Sequence, residues 1–569
     1  MRVMFTNSLK KAVGINSIKS LFHRMGALGS KRKEYKISGD VSARPSSDIM
    51  AEKVVGKDDE FRDGTMTEVD LGDDGKVLLV KENGNYSALG PKCTHYGAPL
   101  KNGVLIGGKI RCPWHGACFN SKTGDIEDFP GLDSLPCYEV MVSDGYVKVK
   151  APLSSLKNHK RVKPMTKYSH VNPTTYVVIG GGAAGQKCCE TLRQEGFSGK
   201  LILISKESNP PYDRPKLSKA LDSTPSALHL RSEDFYKSGD ISLMLDTNVT
   251  SIDTKERWIA CNNGKLKVKY DGLMIATGGQ PIKLVAPGND LKNIFYLRTP
   301  EDGNLIAKES AEKNVTIVGS SFIGMEVASY LLGKASSITV IGRNTVPFAT
   351  VFGKEIGTKI KAMFEEKGVV FYSGKDIVKF NGTDGCLNGI ELSSGEILPA
   401  EVCVVGIGVR PATDFLKDSG LAMSPKGHVI VNEMLETNIK GIYAAGDIIE
   451  FPLTTYDNEK VNISHWQMAH AHGHTAALNM IGRNTVFHSV PFFWSALCGK
   501  NFRYAGYAPN FEEVIIKGDL INLQFIAYYI KNSKVAAVCT VNKDPEAARF
   551  ASCMSLGESI LKSQIESLS

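Results

Sequence analysis

Between about Thr67 and Lys150 the apolar residues come in short strand-like runs, such as Lys76–Val80 and Tyr146–Val149, separated by Gly, Asn and Asp turns. Short strands closed by turns of this kind predict an all-β unit. From Thr174 the texture changes. Tyr176–Ile179, Leu201–Ile204, Val315–Val318 and Ile338–Ile341 are short runs of apolar and β-branched residues, several of which meet a glycine turn and then a helical stretch. Strands that are apolar on both faces belong in a parallel sheet covered by helices. About 80 residues at the end return to aromatic-rich strands, Leu523–Tyr529 and Val535–Val541, and finish with a helix after Asp544. Ala151–Pro173 is basic, contains proline and has no period, so it reads as a 23-residue linker able to let the domain before it swing. The expected order is a leader (1–48), a β domain (49–150), the linker (151–173), a first nucleotide-binding domain in two parts (174–290 and 416–480) around a second (291–415), and an α+β C-terminal domain (481–569).

Composition narrows this little. With 42% hydrophobic residues and 55 glycines among 569 positions, disorder and fibrous repeats are excluded. No run approaches the roughly 18 apolar residues of a membrane-spanning helix. The net charge of +8 matters only once it is located. Arg2, Lys10, Lys11, Lys19, Arg24, Lys31, Arg32 and Lys33 all precede the first acidic residue, Glu34; without them the remaining Lys and Arg equal the 60 Asp and Glu. A neutral body gives no reason to expect nucleic acid as a partner. The acid-free leader matches a transit peptide and points to mitochondria, with the cytoplasm as the alternative. Twelve cysteines scattered over a long chain suit a reducing compartment better than a disulfide scaffold.

Four residues carry a metal-binding pattern. Cys93-Thr94-His95-Tyr96-Gly97 and Cys112-Pro113-Trp114-His115-Gly116 each offer one thiolate and one imidazole, with 16 residues between His95 and Cys112. In a Rieske [2Fe–2S] centre two Cys hold one iron and two His the other, so Cys93, His95, Cys112 and His115 meet its demand loop by loop. Gly97 and Gly116 permit the tight turns that aim backbone amides at sulfur. A structural zinc site more often groups its cysteines and histidines as separate close pairs.

Two glycine loops follow apolar strands about 140 residues apart. The first, Gly180-Gly181-Gly182-Ala183-Ala184-Gly185, opens a helix, and Glu207 stands 22 residues beyond Gly185 at the end of the next strand, placed to accept from a ribose hydroxyl. Gly180, Gly182 and Gly185 allow the turn and the close approach of a pyrophosphate. The second loop, Gly319-Ser320-Ser321-Phe322-Ile323-Gly324, has Ser321 in place of the middle glycine, and its next strand ends at Gly342-Arg343 without an acid. Arg343 makes a 2′-phosphate acceptable and tilts the expected choice from NADH toward NADPH. Pro211–Lys219 is a proline-stiffened loop whose Arg214, Lys216 and Lys219 suit it to cover a flavin and its phosphates.

These motifs resemble known families. The segment from Thr67 to Lys150 resembles Rieske domains, and the chain from Thr174 onward resembles FAD-dependent pyridine-nucleotide oxidoreductases. Their fusion resembles the type-three subgroup of apoptosis-inducing factor-like flavoproteins. The resemblance implies an all-β Rieske domain followed by α/β FAD and NAD(P) domains and an α+β C-terminal domain. It assigns Thr277 and Gly278 to a strand-end turn beside FAD, and Gly446 and Asp447 to the motif that bonds the ribitol. It further implies a Lys219–Glu326 ion pair at the reactive edge of the flavin and places Trp466 and Trp494 near it. High-potential Rieske relatives carry a disulfide where this chain has Ala98 and Trp114, and hydroxyl donors where it has Ala117 and Phe119, so a low potential is expected. No disulfide-reductase cysteine pair is present, which leaves the cluster as the flavin's electron outlet. The implied activity is electron transfer from NAD(P)H through FAD to the [2Fe–2S] cluster and on to an unidentified acceptor, with a protein as one candidate. The rival reading is a signalling protein whose redox state gates partner binding.

Overall fold

The computed structural model describes residues 49–567, and the leader expected over residues 1–48 lies outside them. The first domain is all-β. A six-stranded antiparallel sheet runs in the spatial order Met50–Lys57, Tyr146–Pro152, Cys137–Ser143, Asn85–Leu89, Lys76–Glu82, Thr65–Asp70. Asn83-Gly84 and Asp144-Gly145 close two of its hairpins with positive φ at both residues, as two-residue turns of this twist require. A smaller four-stranded sheet (Val104–Ile106, Lys109–Arg111, Cys118–Asn120, Ile126–Asp128) carries the second Cys-His loop between its second and third strands.

The first nucleotide domain is a parallel sheet ordered Ile241–Met244, Lys200–Ile204, Thr175–Ile179, Gly272–Ile275, Ile442–Ala444. Its last strand arrives only after the chain has built a second sheet from Ile294–Phe295, Val402–Val405, Asn314–Val318, Ser337–Gly342 and Val370–Ser373. Both sheets put their first strand–glycine–helix turn at the carboxyl ends of the strands, where open α/β sheets bind nucleotides. The C-terminal domain is a five-stranded antiparallel sheet that includes Phe492–Leu497 and Lys500–Gly506, with the helix Glu546–Ser555 packed against it. Cys188 and Cys189 are fully buried core residues of the helix Ala183–Gln194. No helix among the described residues is long and apolar enough to cross a membrane.

The linker differs from its expected role. Its first residues extend the strand Tyr146–Pro152, a short helix follows at Leu153–Lys157, and the remainder is tied down on both sides. Ser134 and Arg161 exchange backbone hydrogen bonds of 3.0 and 2.8 Å, Thr166 N–H donates to the Arg193 carbonyl, and Ser169 N–H to that of Ser198. A segment that pairs one residue at a time with two domains has no period to betray it, which is why it read as a free tether. The β domain is also clamped by buried polar groups. Asp128 takes Arg111 (3.2 Å) from its own domain, Gln467 (2.9 Å) from the first nucleotide domain and Ser489 (3.1 Å) from the segment before the C-terminal sheet. Arg111 also donates to Ser552 of the C-terminal helix at 3.1 Å. On the other flank Arg231 bridges Asp133 (2.5 Å) and Glu190 (2.6 Å). Breaking such a network would strand charges in the interior, so the domain is held closed on the body rather than swinging.

Candidate functional site

The two Cys-His loops face each other at the tip of the β domain. Gly97 and Gly116 have φ of 76° and 78°, so each loop folds back sharply after its histidine. The amides of His95 and Tyr96 donate to the Cys93 sulfur, and those of Trp114 and His115 to the Cys112 sulfur. The two sulfurs hydrogen-bond each other, which together with burial pushes the Cys93 thiol well up. The imidazoles meet through their Nδ1 atoms, 3.1 Å apart. Burial pushes His95 down to about 3 and His115 well below its ordinary value, so both rings are neutral, the form in which imidazole ligates metal. Among the described residues no three His, Cys, Asp or Glu side chains are grouped to hold a single ion. Two sulfurs on one side and two nitrogens on the other instead fit a pair of irons, each taking two protein ligands.

Beside the first nucleotide loop the backbone leaves a cradle. A Cβ on Gly180 would lie 2.1 Å from the Ala276 carbonyl oxygen, and one on Gly185 would lie 1.9 Å from that of Gly180. Gly182, at the N-cap of the helix, has nothing within 4 Å of its missing Cβ, so the space before the helix is open. Around it stand Glu207, held by Tyr212 (2.6 Å) and Arg214 (3.1 Å), and Asp447, whose carboxylate makes no hydrogen bond among the described residues. Burial pushes the Asp447 carboxyl up, opposed by Arg298 and Arg214. Thr277 donates to the Ala412 carbonyl (2.8 Å), Gly278 adopts φ 69° beneath the Arg298 guanidinium, and Gly446 N–H reaches His472. An open phosphate-sized cradle, two guanidiniums and an unpartnered carboxylate suit FAD: the cations for its pyrophosphate, the carboxylate for a sugar hydroxyl. Arg298 has no motif in the sequence; only the fold brings it here.

The second loop repeats the geometry. Gly319 has φ 111°, and a Cβ on Gly324 would lie 1.9 Å from the Gly319 carbonyl oxygen. Ser321 is exposed at the helix N-cap and makes no capping bond. Arg343 is 85% exposed and touches Asp376 at 3.3 Å, a pair weak enough to yield to a phosphate.

Between the two nucleotide loops Lys219 Nζ lies 2.8 Å from Glu326, and Glu326 also accepts from Ser218 and from Ser495 (2.6 Å). The serines were not singled out in the sequence, because hydroxyls carry no spacing signal. Trp494, the residue before Ser495, packs its ring 4.3 Å from His115 and 5.5 Å from His95. Arg503, opposite Trp494 on the neighbouring strand and paired with Asp544 at 3.0 Å, sets a buried cation toward the Cys112 sulfur. Trp466 stands at the start of the helix Trp466–Met480 with its ring 5.0 Å from His470.

Comparisons with known proteins follow the same division. Residues 51–139 match the Rieske [2Fe-2S] domain, residues 174–473 the pyridine nucleotide-disulphide oxidoreductases, and residues 492–566 the reductase C-terminal domain. The chain is 44% identical to human apoptosis-inducing factor 3 over 92% of its own length and 87% of that protein. Among solved structures, the ferredoxin reductase for the CYP199A2 system of Rhodopseudomonas palustris superposes with a TM-score of 0.65 at 28% identity, covering 69% of this chain and 97% of the other. The covalent putidaredoxin reductase–putidaredoxin complex gives 0.64 at 26% identity over 68% of this chain and 93% of its match.

Proposed function

The chain belongs to the pyridine nucleotide-disulphide oxidoreductase family, in the apoptosis-inducing factor 3 group, and on that premise we propose how its residues serve an NAD(P)H oxidoreductase with FAD and a Rieske centre. When bound, FAD accepts hydride from NAD(P)H and the [2Fe–2S] cluster accepts single electrons. Gly180, Gly182, Gly185, Glu207, Arg214, Thr277, Gly278, Arg298, Gly446 and Asp447 hold the flavin, with Trp466 beside it. Gly319, Ser321, Gly324 and Arg343 hold the nicotinamide dinucleotide. Cys93, His95, Cys112 and His115 hold the irons.

One observation carries this reading. Adjacent residues on the strand Phe492–Leu497 point to opposite faces, and Ser495 touches Glu326 while Trp494 touches both imidazoles. A single turn of the backbone thus joins the charge pair at the flavin edge to the iron ligands. The Lys219 ammonium supplies positive charge where the reduced flavin gains electrons. Glu326, buried and fixed by two hydroxyls, holds that ammonium in place.

Lys219→Ala is expected to retain FAD and to slow its reduction by NADPH on the order of 100-fold, read from flavin absorbance after rapid anaerobic mixing. A wild-type rate contradicts the assignment. NADPH is the expected donor of higher kcat/KM, and Arg343→Ala should remove its advantage over NADH; an NADH preference in the unaltered protein contradicts the role of Arg343. The acceptor beyond the iron centre is a protein, a reading supported by the likeness to a reductase held in complex with its redox partner. We further propose a mitochondrial location, on the ground of the acid-free cationic leader; residues 1–48 fused to a fluorescent protein should go there, and a diffuse cytoplasmic signal overturns this.

A further inference from the structure

Both candidate iron-ligand imidazoles are turned into the molecule, toward Trp494. An external acceptor must therefore approach from another side. The second face of His95 is covered by Tyr96, whose ring stacks on it at 3.7 Å and 17°. Tyr96 is half-buried and Gly97 after it is exposed, so this stacked pair reaches the surface. The rim around it is cationic. Lys216 Nζ lies 5.0 Å from the Tyr96 ring. Lys92, immediately before Cys93, and Lys160, on the connecting segment, are both exposed and make no ion pair among the described residues. The carbonyl oxygen of His159, the residue before Lys160, lies 3.8 Å from where a Cβ on Gly90 would stand, and Gly90 is two residues before Lys92, so the connecting segment runs beside the base of the first ligand loop. Of the nearby acids, Asp213 is buried and already engaged by the Tyr96 hydroxyl (2.5 Å) and Lys216 (3.3 Å), while the exposed Glu139 lines the same hollow as Lys160. Three cations thus converge from a ligand loop, the connecting segment and the flavin-covering loop, in a body that is otherwise electrically balanced.

We propose that the Lys92–Lys160–Lys216 rim over Tyr96 is the docking surface for an acidic one-electron acceptor protein. The inference rests on the relay reading above. One electron leaves the reduced iron centre, which returns to its oxidised state, and the acceptor's oxidised centre is reduced by one; no bond forms and no proton moves. Lys92 and Lys160, without an ion pair among the described residues, repel one another, and like charge around a redox exit speeds encounter with a partner of the opposite sign.

Two measurements on the full-length holoprotein test this. Carbodiimide coupling of an oligoglutamate peptide, mapped by mass spectrometry, is expected to mark Lys92 and Lys160 first, and coupling spread evenly over the surface lysines overturns the proposal. In the second, protein reduced anaerobically with NADPH, with the cluster's EPR signal verified, is mixed with hexacyanoferrate(III) or hexaamminecobalt(III). The K92E/K160E double variant should slow cluster reoxidation by the anion by roughly 3- to 10-fold at low salt, with no slowing by the cation, and the difference should vanish at high salt. A Lys265→Glu control, in a hairpin turn of the reductase body, should leave both rates unchanged. Equal effects of the double variant on both oxidants overturn the rim. A cluster that never becomes reduced strikes the relay reading instead, and the cross-linking map then decides the rim by itself.

Discussion

Cys112→Ser protein is expected to purify with FAD but with less than about a tenth of the wild-type iron and inorganic sulfide. Serine offers a hard hydroxyl that stays protonated at neutral pH, where iron–sulfur centres take thiolates. The surroundings of Cys112 are built for a sulfur anion: two backbone amides and the buried Arg503 lower its pKa, as does the hydrogen bond from Cys93, against a burial that opposes them. Losing this ligand leaves one of the two irons with Cys93 alone. Lys219, Glu326 and both glycine loops lie in other domains, so bleaching of the flavin by NADPH after rapid anaerobic mixing should stay within about twofold of wild type. Metal and sulfide analysis with a flavin spectrum of the same preparation checks both halves. Full iron occupancy in the serine variant contradicts the ligand assignment.

Gly182→Val is expected to fold as well as wild type yet lose FAD. Gly182 has an ordinary φ of −84° and empty space where its Cβ would be, so the chain itself tolerates the side chain. That same space is where a pyrophosphate must approach the helix N-terminus. Overpacking costs of roughly 1–3 kcal/mol correspond to about 5- to 150-fold weaker binding. Gly185→Val is the contrasting case: its Cβ would collide with the Gly180 carbonyl, so the apoprotein itself should lose stability. FAD titration and thermal unfolding of the two apoproteins separate the outcomes. Unchanged flavin affinity in the Gly182 variant would remove the cradle from the first nucleotide site.

The sequence exposed those parts whose physics is local. Strands buried on both faces, such as Thr175–Ile179 and Asn314–Val318, are legible because burial on two sides favours a near-continuous run of apolar and β-branched residues. The Cys-His loops are legible because ligand chemistry and turn glycines sit within five residues of one another. What escaped depends on distant pairings. Asp128 and Gln467 are 339 positions apart, and Arg231 meets Asp133 from 98 positions away. Neither contact leaves a period or a spacing, so the clamp that closes the β domain on the body stayed hidden, and the connecting segment read as loose. Trp494 was assigned to the flavin's neighbourhood, but only the alternation of its strand turns the indole to the imidazoles and gives Ser495 to Glu326. Arg298 is similar: nothing around it in sequence distinguishes it from a surface arginine, whereas the fold sets it, half-buried, beside Asp447 and Arg214.

The clamp has a kinetic meaning. With the β domain held by buried ion pairs, transfer from flavin to iron centre is an event within one rigid body and should not depend on protein concentration. The most direct test of this wiring is anaerobic titration of iron-replete protein with NADPH, following flavin absorbance and the EPR signal of the reduced cluster in the same samples. Bleaching of the flavin accompanied by a growing cluster signal, at a rate independent of protein concentration, is the predicted result. A fully bleached flavin beside a cluster that stays oxidised on long incubation would contradict it.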